Sequence, residues 1–199
     1  STLANRAAFI SSAQSYMQQR GFDGIDIDWE YPGAAGNTNN YSPEDTGNFT
    51  KLLSELRTAL DTQGAIDGKQ YLLTIAAPAG EAKFEKIEIG NIHPHLDFIN
   101  MMTYDFHGAW GSTTNFHSAL KGTTADPTWS AKFWADHAIE SWLAEGVPPE
   151  KRAGYYDLVE RAVNENSGDF MEVGRFPTLR RGGKKSDVIL YRLAGDGAG

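Results

Sequence analysis

The stretch Phe22-Asp23-Gly24-Ile25-Asp26-Ile27-Asp28-Trp29-Glu30-Tyr31-Pro32 decides how the chain is read. Ile25, Ile27 and Trp29 alternate with Asp26, Asp28 and Glu30, and a period of two puts successive side chains on opposite faces of an extended strand. One face is apolar; the other is a ladder of carboxylates about 6–7 Å apart. Pro32-Gly33 ends the strand. A one-sided antiparallel sheet would carry the same alternation with its acids facing water, so the neighbouring sequence has to decide.

Upstream, Phe9, Ile10, Ala13, Tyr16 and Met17 recur at helical spacing between Leu3 and Gln19, and Gly21 sits where a C-terminal cap belongs. Downstream, residues 33–41 form a polar loop. Ser42-Pro43-Glu44-Asp45 then offers an N-cap, a proline at the first helical position and acids near the positive end of the helix dipole. The helix runs to about Gln63 on a stripe of Phe49, Leu52, Leu53, Leu56 and Leu60. Tyr71 to Ala77, closed by Pro78, and Leu96 to Tyr104 are near-continuously apolar, as parallel strands covered on both faces are. A short helical segment is expected around Lys83 to Lys86. A long loop, Asp105 to Pro127, leads to a helix of roughly Trp129 to Glu145 with Phe133, Trp134, Ala138, Trp142 and Leu143 on its apolar side. This order implies an α/β domain with a parallel sheet. Beyond Lys151, Tyr155 to Val163 reads as helix, Asp187 to Leu193 as strand, and the glycines and basic residues between them as loop.

Composition narrows the chemistry. The 199 residues hold 18 Lys+Arg against 26 Asp+Glu, a net charge of −8, and 40% are hydrophobic, enough for one domain with a real core. Residues 1–150 carry 9 basic and 19 acidic side chains, whereas 151–199 carry 9 and 7. The only dense basic cluster, Arg180 to Lys185, lies near the C-terminus, so nucleic acid is not expected as a partner. Without cysteine there is no disulfide framework, thiolate zinc site or cysteine nucleophile. No run approaches the roughly 20 apolar residues of a membrane span, so no membrane partner is expected. The chain lacks a basic-then-apolar leader and begins as if mid-domain.

In a sheet covered on both faces, three unpaired carboxylates are expensive. Crowding also disfavours ionising all of them, so a shared proton and a raised carboxyl pKa are expected, which is what a general acid needs. Glu30, last on the strand and longest, projects furthest toward the C-terminal end, where α/β sheets place their ligands. It is the candidate acid, with Asp28 supporting its proton and Asp26 beneath. Asp23 has the opposite parity and reads as structural. A divalent cation would also favour clustered carboxylates, yet i, i+2, i+4 acids on a flat strand do not enclose one. His93 and His95, the only close histidine pair, flank Pro94 and read as a surface turn. No metal or cofactor is expected.

The run Asp23 to Pro32 resembles the signature of glycoside hydrolase family 18, the chitinases and their relatives. Met101-Met102-Thr103-Tyr104-Asp105-Phe106-His107-Gly108 resembles the sixth barrel strand of that family, Leu73 to Ala79 the fifth, and Gly146 to Lys151 the link after the sixth helix. The resemblance implies a partial (β/α)8 TIM barrel of parallel strands. Residues 1–151 would form its central catalytic part, and 152–199 an unassigned C-terminal segment. It implies retaining hydrolysis of β-1,4 bonds between N-acetylglucosamine units, the substrate's own acetamido oxygen serving as nucleophile. Glu30 would then be acid and later base; Asp28 would orient the acetamido group and stabilise the oxazolinium cation; Asp26 would hold Asp28's proton. Tyr104 would bond the acetamido carbonyl, Met102 and Asp105 would shape the floor, Tyr31 would line the edge, and Trp110 would stack on a sugar ring. Chitin or chito-oligosaccharides would be the partners and the location extracellular. Asn48-Phe49-Thr50 matches a glycosylation sequon but falls inside a helix, so modification is not expected there.

The chain departs from the family in two places. Nothing upstream of the first helix has room for strands one to three, and after Lys151 the sequence reads Arg152-Ala153-Gly154-Tyr155-Tyr156-Asp157-Leu158, with no tryptophan beyond Trp142. A whole barrel needs about 250 residues. Two functional readings follow: a chitinase-type chain, or the middle of one, acting through Glu30; and an inactive carbohydrate-binding remnant with an incomplete barrel. An open barrel would also expose strand edges and favour self-association.

Overall fold

Helix α1, Leu3–Arg20, starts where the Thr2 hydroxyl accepts the Asn5 N–H at 3.2 Å and stops at Gly21, whose left-handed φ of 68° lets the chain turn back. Strand β1, Gly24–Trp29, follows. The computed structural model describes residues 2–154, 170–177 and 186–193. Within them come α2 (Asp45–Asp67), β2 (Leu72–Pro78), the short helices α3 (Glu81–Phe84) and α4 (Ile89–Ile92), β3 (Phe98–Met102), α5 (Ala135–Ala144), β4 (Arg152–Gly154), β5 (Phe170–Pro177) and β6 (Ser186–Leu193).

The strands form one sheet in the order β4-β3-β2-β1-β6-β5. From β1 to β4 every pairing is parallel, which bears out the α/β reading of a partial barrel, and among the described residues the sheet is not closed. Strand β6 lies antiparallel against β1, and β5 antiparallel against β6, so the sheet is mixed rather than wholly parallel. Gly24 sits where β1 approaches β2 most closely in its first pair. A Cβ there would lie 2.6 Å from the Leu72 carbonyl oxygen, so only hydrogen fits where β1 meets β2.

Ile25 and Ile27 of β1, Leu73 and Ile75 of β2, and Ile99 and Met101 of β3 share one core with the helix residues Leu53, Leu56, Leu60 and Trp142. Trp29 joins this side, edge-on to Phe49 at 5.7 Å. The opposite face therefore belongs to Asp26 and Asp28, Thr74 and Ala76, and Asn100 and Met102, in register across three strands. Arg6 of α1 clamps Glu55 of α2 with two parallel bonds of 2.9 and 2.8 Å. At the start of the strands Arg57 donates to Asp97 at 3.0 Å, and Asp97 also accepts the Leu73 N–H at 2.7 Å.

Three boundaries differ from expectation. Helix α2 begins at Asp45, because Ser42 and Asp45 exchange backbone and side-chain bonds that hold Ser42–Glu44 as a turn. The last helix begins at Ala135: Trp129–Ala131 is a single 3-10 turn, and Lys132 at φ 52° breaks it from α5. The segment read as loop before Asp187 contains strand β5. Its register skips between Glu172 and Gly174, leaving Val173 as an extra residue that disrupts the period-two pattern. The helix expected over Tyr155 to Val163 lies outside the described residues.

Candidate active site

Alternation along β1 holds Asp26 and Asp28 on the face away from the helices, the strand ends at Trp29, one residue short of the expected Glu30, and the exposure of the three acids grades along the chain. Asp26 is completely buried, Asp28 is half-buried and Glu30 is exposed beyond the strand's C-terminal end. This gradient runs from the interior of the sheet face to its mouth, where a ligand can reach.

Asp26 is held from two other strands. Its Oδ1 accepts a short hydrogen bond from the Thr74 hydroxyl on β2 and a 3.2 Å bond from the Asn100 amide on β3. Its Oδ2, like Oδ1 of Asp28, is shut off from solvent. Neither Thr74 nor Asn100 emerges from reading the sequence for charged groups. Their signal is there nonetheless: each is the polar residue of an otherwise apolar buried strand, at the parity of the ladder.

Tyr31 gathers the mouth of the site. Its phenol is half-buried and its pKa is raised, first by burial, then by the charge of Glu30 and a hydrogen bond to it, and further by Asp28 and Tyr104. Glu30, Asp28 and Tyr104 thus all lie within electrostatic reach of the Tyr31 phenol. The Lys83 ammonium stands 5.2 Å from the centre of the Tyr31 ring and donates to the Ala35 carbonyl at 2.5 Å. The Glu30 main chain is braced by Asn39, whose amide donates to the Glu30 carbonyl at 2.5 Å while its Oδ1 accepts the Gly36 N–H at 2.6 Å. Gly36 is obligatory, since a Cβ there would lie 2.3 Å from that carbonyl.

From β3, Met102 is half-buried at the ladder's parity and Tyr104, just beyond the strand, is 37% exposed. Asp105 turns the chain out of the sheet at φ 56° and pairs with His117 at 3.3 Å. The loop that follows is fastened at several points. Phe106 N–H donates to the His117 carbonyl at 3.0 Å, the Phe106 ring stacks on Phe133 at 5.9 Å, and both ring nitrogens of His107 are engaged, with the Phe116 carbonyl at 3.1 Å and the Thr128 hydroxyl at 2.8 Å. Trp110 rides on this loop, its ring against Gly108 and 69% of it exposed. The arrangement supplies a graded row of carboxyls, hydroxyl and phenol donors around their mouth, and an exposed aromatic plane near the same end of the sheet.

Comparison with known proteins shows what the chain as a whole is similar to. The family model described as Glycosyl hydrolases family 18 matches residues 1–181. Chitinase A1 of Niallia circulans is 44% identical over 158 residues, which are 75% of this chain and 22% of that protein. Among solved structures, chitinase ChiA74 from Bacillus thuringiensis superposes with a TM-score of 0.73 at 44% identity, covering 77% of this chain and 25% of that one. YKL-39, solved in the presence of chitooligosaccharides, superposes with a TM-score of 0.67 at 28% identity over 77% of this chain and 41% of its own. The chain spans only 20–38% of the length of the curated relatives it matches.

Proposed function

Because the chain belongs to glycosyl hydrolase family 18, we propose that it hydrolyses β-1,4 linkages between N-acetylglucosamine units with retention of configuration, with Glu30 as the acid and base. The burial gradient of the ladder carries this reading. Only Glu30 is exposed enough to reach a glycosidic oxygen, and the two acids below it are too enclosed to do so. Glu30 protonates the leaving oxygen while the substrate's acetamido oxygen attacks the anomeric carbon. Asp28, the next rung down, orients the acetamido nitrogen and balances the positive charge of the cyclic intermediate. Water, deprotonated by Glu30, then opens that intermediate.

Tyr31 and Tyr104 offer phenol donors beside the reacting centre, Met102 and Asp105 shape the floor, and Trp110 presents a flat ring suited to an apolar sugar face. Chitin or chito-oligosaccharides are the substrates on this reading. A polymer too large to enter a cell places the work outside it.

Turnover of a fluorogenic chito-oligosaccharide by the wild type and by Glu30→Gln tests the proposal. Loss of at least a hundredfold in Glu30→Gln is expected, the lower range of what a positioned general acid contributes. A folded wild type that binds the oligosaccharide without cleaving it favours the second reading, a carbohydrate-binding protein, for which the exposed Trp110 is the supporting observation.

A further inference from the structure

We propose that Lys83 is a positioning residue for Glu30, a cation on the neighbouring helix α3 that fixes both the main chain and the phenol partner of the acid. One route runs through the loop after β1. The Lys83 ammonium donates to the Ala35 carbonyl at 2.5 Å. Across the same peptide unit the Gly36 N–H donates to Oδ1 of Asn39 at 2.6 Å, and the Asn39 amide donates to the Glu30 carbonyl at 2.5 Å. Each peptide or amide in this row accepts a bond at one end and donates one at the other, so a charge at its head strengthens the bonds that follow. The row also settles how the Asn39 amide is turned. Its oxygen meets an N–H and its nitrogen a carbonyl, and the reverse setting would put donor against donor and acceptor against acceptor.

The second route is shorter. The Lys83 ammonium lies 5.2 Å from the centre of the Tyr31 ring, a distance at which a cation is attracted to an aromatic ring, and the Tyr31 phenol is hydrogen-bonded to the Glu30 side chain. Lys83 therefore acts on the main chain of Glu30 through Asn39 and on its carboxyl through Tyr31. Its own footing is firm. Helix α3 buries Phe84, and its first residue, Glu81, accepts from the Lys132 ammonium at 2.6 Å and stands 3.2 Å from Nε2 of His137. Strand β2 leads into α3 and pairs in parallel with β1. A helix tied on one side to the chain around α5 thus sets the loop after β1 on the other. Methionine at position 83 would keep an unbranched stem of similar bulk and lose both routes, which separates the charge from the packing.

Because this role rests on the reading of Glu30 as the acid, its test combines one measurement that needs turnover with one that does not. Lys83 is half-buried at the surface, so Lys83→Met is expected to fold, with a thermal midpoint near that of the wild type. Amide hydrogen exchange followed by NMR should show the Gly36 N–H exchanging about tenfold faster in Lys83→Met. On a fluorogenic chito-oligosaccharide kcat should fall about tenfold while KM stays nearly unchanged, because the acid is misplaced and binding is not. In an Asn39→Ala background, where the row is already cut, Lys83→Met should lower kcat by a smaller factor than in the wild type. A folded Lys83→Met protein that keeps the wild-type kcat, or whose Gly36 exchanges at the wild-type rate, overturns the proposal, and so do equal factors in the two backgrounds. A wild type that cleaves nothing while Gly36 still responds to Lys83→Met would sink the hydrolytic reading and leave the anchor on the Glu30 main chain standing.

Discussion

The two ends of the parallel strands use their acids in opposite ways. At the amino-terminal end each acid meets a base: Asp23 pairs with Lys69 at 2.8 Å and Asp97 with Arg57 at 3.0 Å. At the carboxyl-terminal end Asp26 takes its bonds from a hydroxyl and an amide, and Glu30 takes one from a phenol. Ion pairs fix charge in place, whereas neutral donors leave a proton free to move between carboxyls. One sheet thus carries its acids in ion pairs at one end and against neutral donors at the other.

Breaking the amino-terminal end should cost stability first. Asp97→Ala removes acceptors for Arg57, the Leu73 N–H and Gln70 at once, and a loss of about 3 kcal/mol is expected in denaturant unfolding, since a partly buried cation and a backbone N–H lose their partner. Breaking the other end should cost turnover instead. Asp28→Asn is expected to lower kcat on a chito-oligosaccharide about a hundredfold, with an unfolding midpoint near that of the wild type. A smaller effect sharpens the contrast. The two-pronged bond from Arg6 holds the Glu55 carboxyl below the ordinary glutamate value. The sign follows: Glu55 contributes stability above its unfolded pKa, and that contribution disappears as the pH falls through the depressed folded value. Thermal midpoints of the wild type and Glu55→Gln should therefore differ at neutral pH and converge as the pH falls below the ordinary glutamate range.

Much of the carboxyl-terminal end was legible in the sequence because charge and period coincide there. An acid at every second position of an apolar strand fixes both face and direction, so Asp26, Asp28 and Glu30 could be placed before any coordinates. The clamp on Asp26 could not be placed in the same way, since Thr74 and Asn100 are uncharged and their meeting depends on register across three strands. Asn39 bracing the Glu30 carbonyl belongs to the same class, a contact made by loop closure rather than by spacing. Helix α5 starts late because Lys132 adopts a positive φ, a conformation that lysine does not signal. Strand β5 shows no clean period of two because a bulge interrupts its alternation.

The separation of the two ends is tested most directly by measuring turnover of a fluorogenic chito-oligosaccharide and the thermal midpoint on the same samples of wild type, Glu30→Gln and Asp97→Ala. Glu30→Gln should keep the wild-type midpoint and lose at least a hundredfold in kcat, while Asp97→Ala should melt earlier and, below its midpoint, turn over substrate as the wild type does. Wild-type turnover in a folded Glu30→Gln protein would contradict the assignment of the chemistry to the ladder.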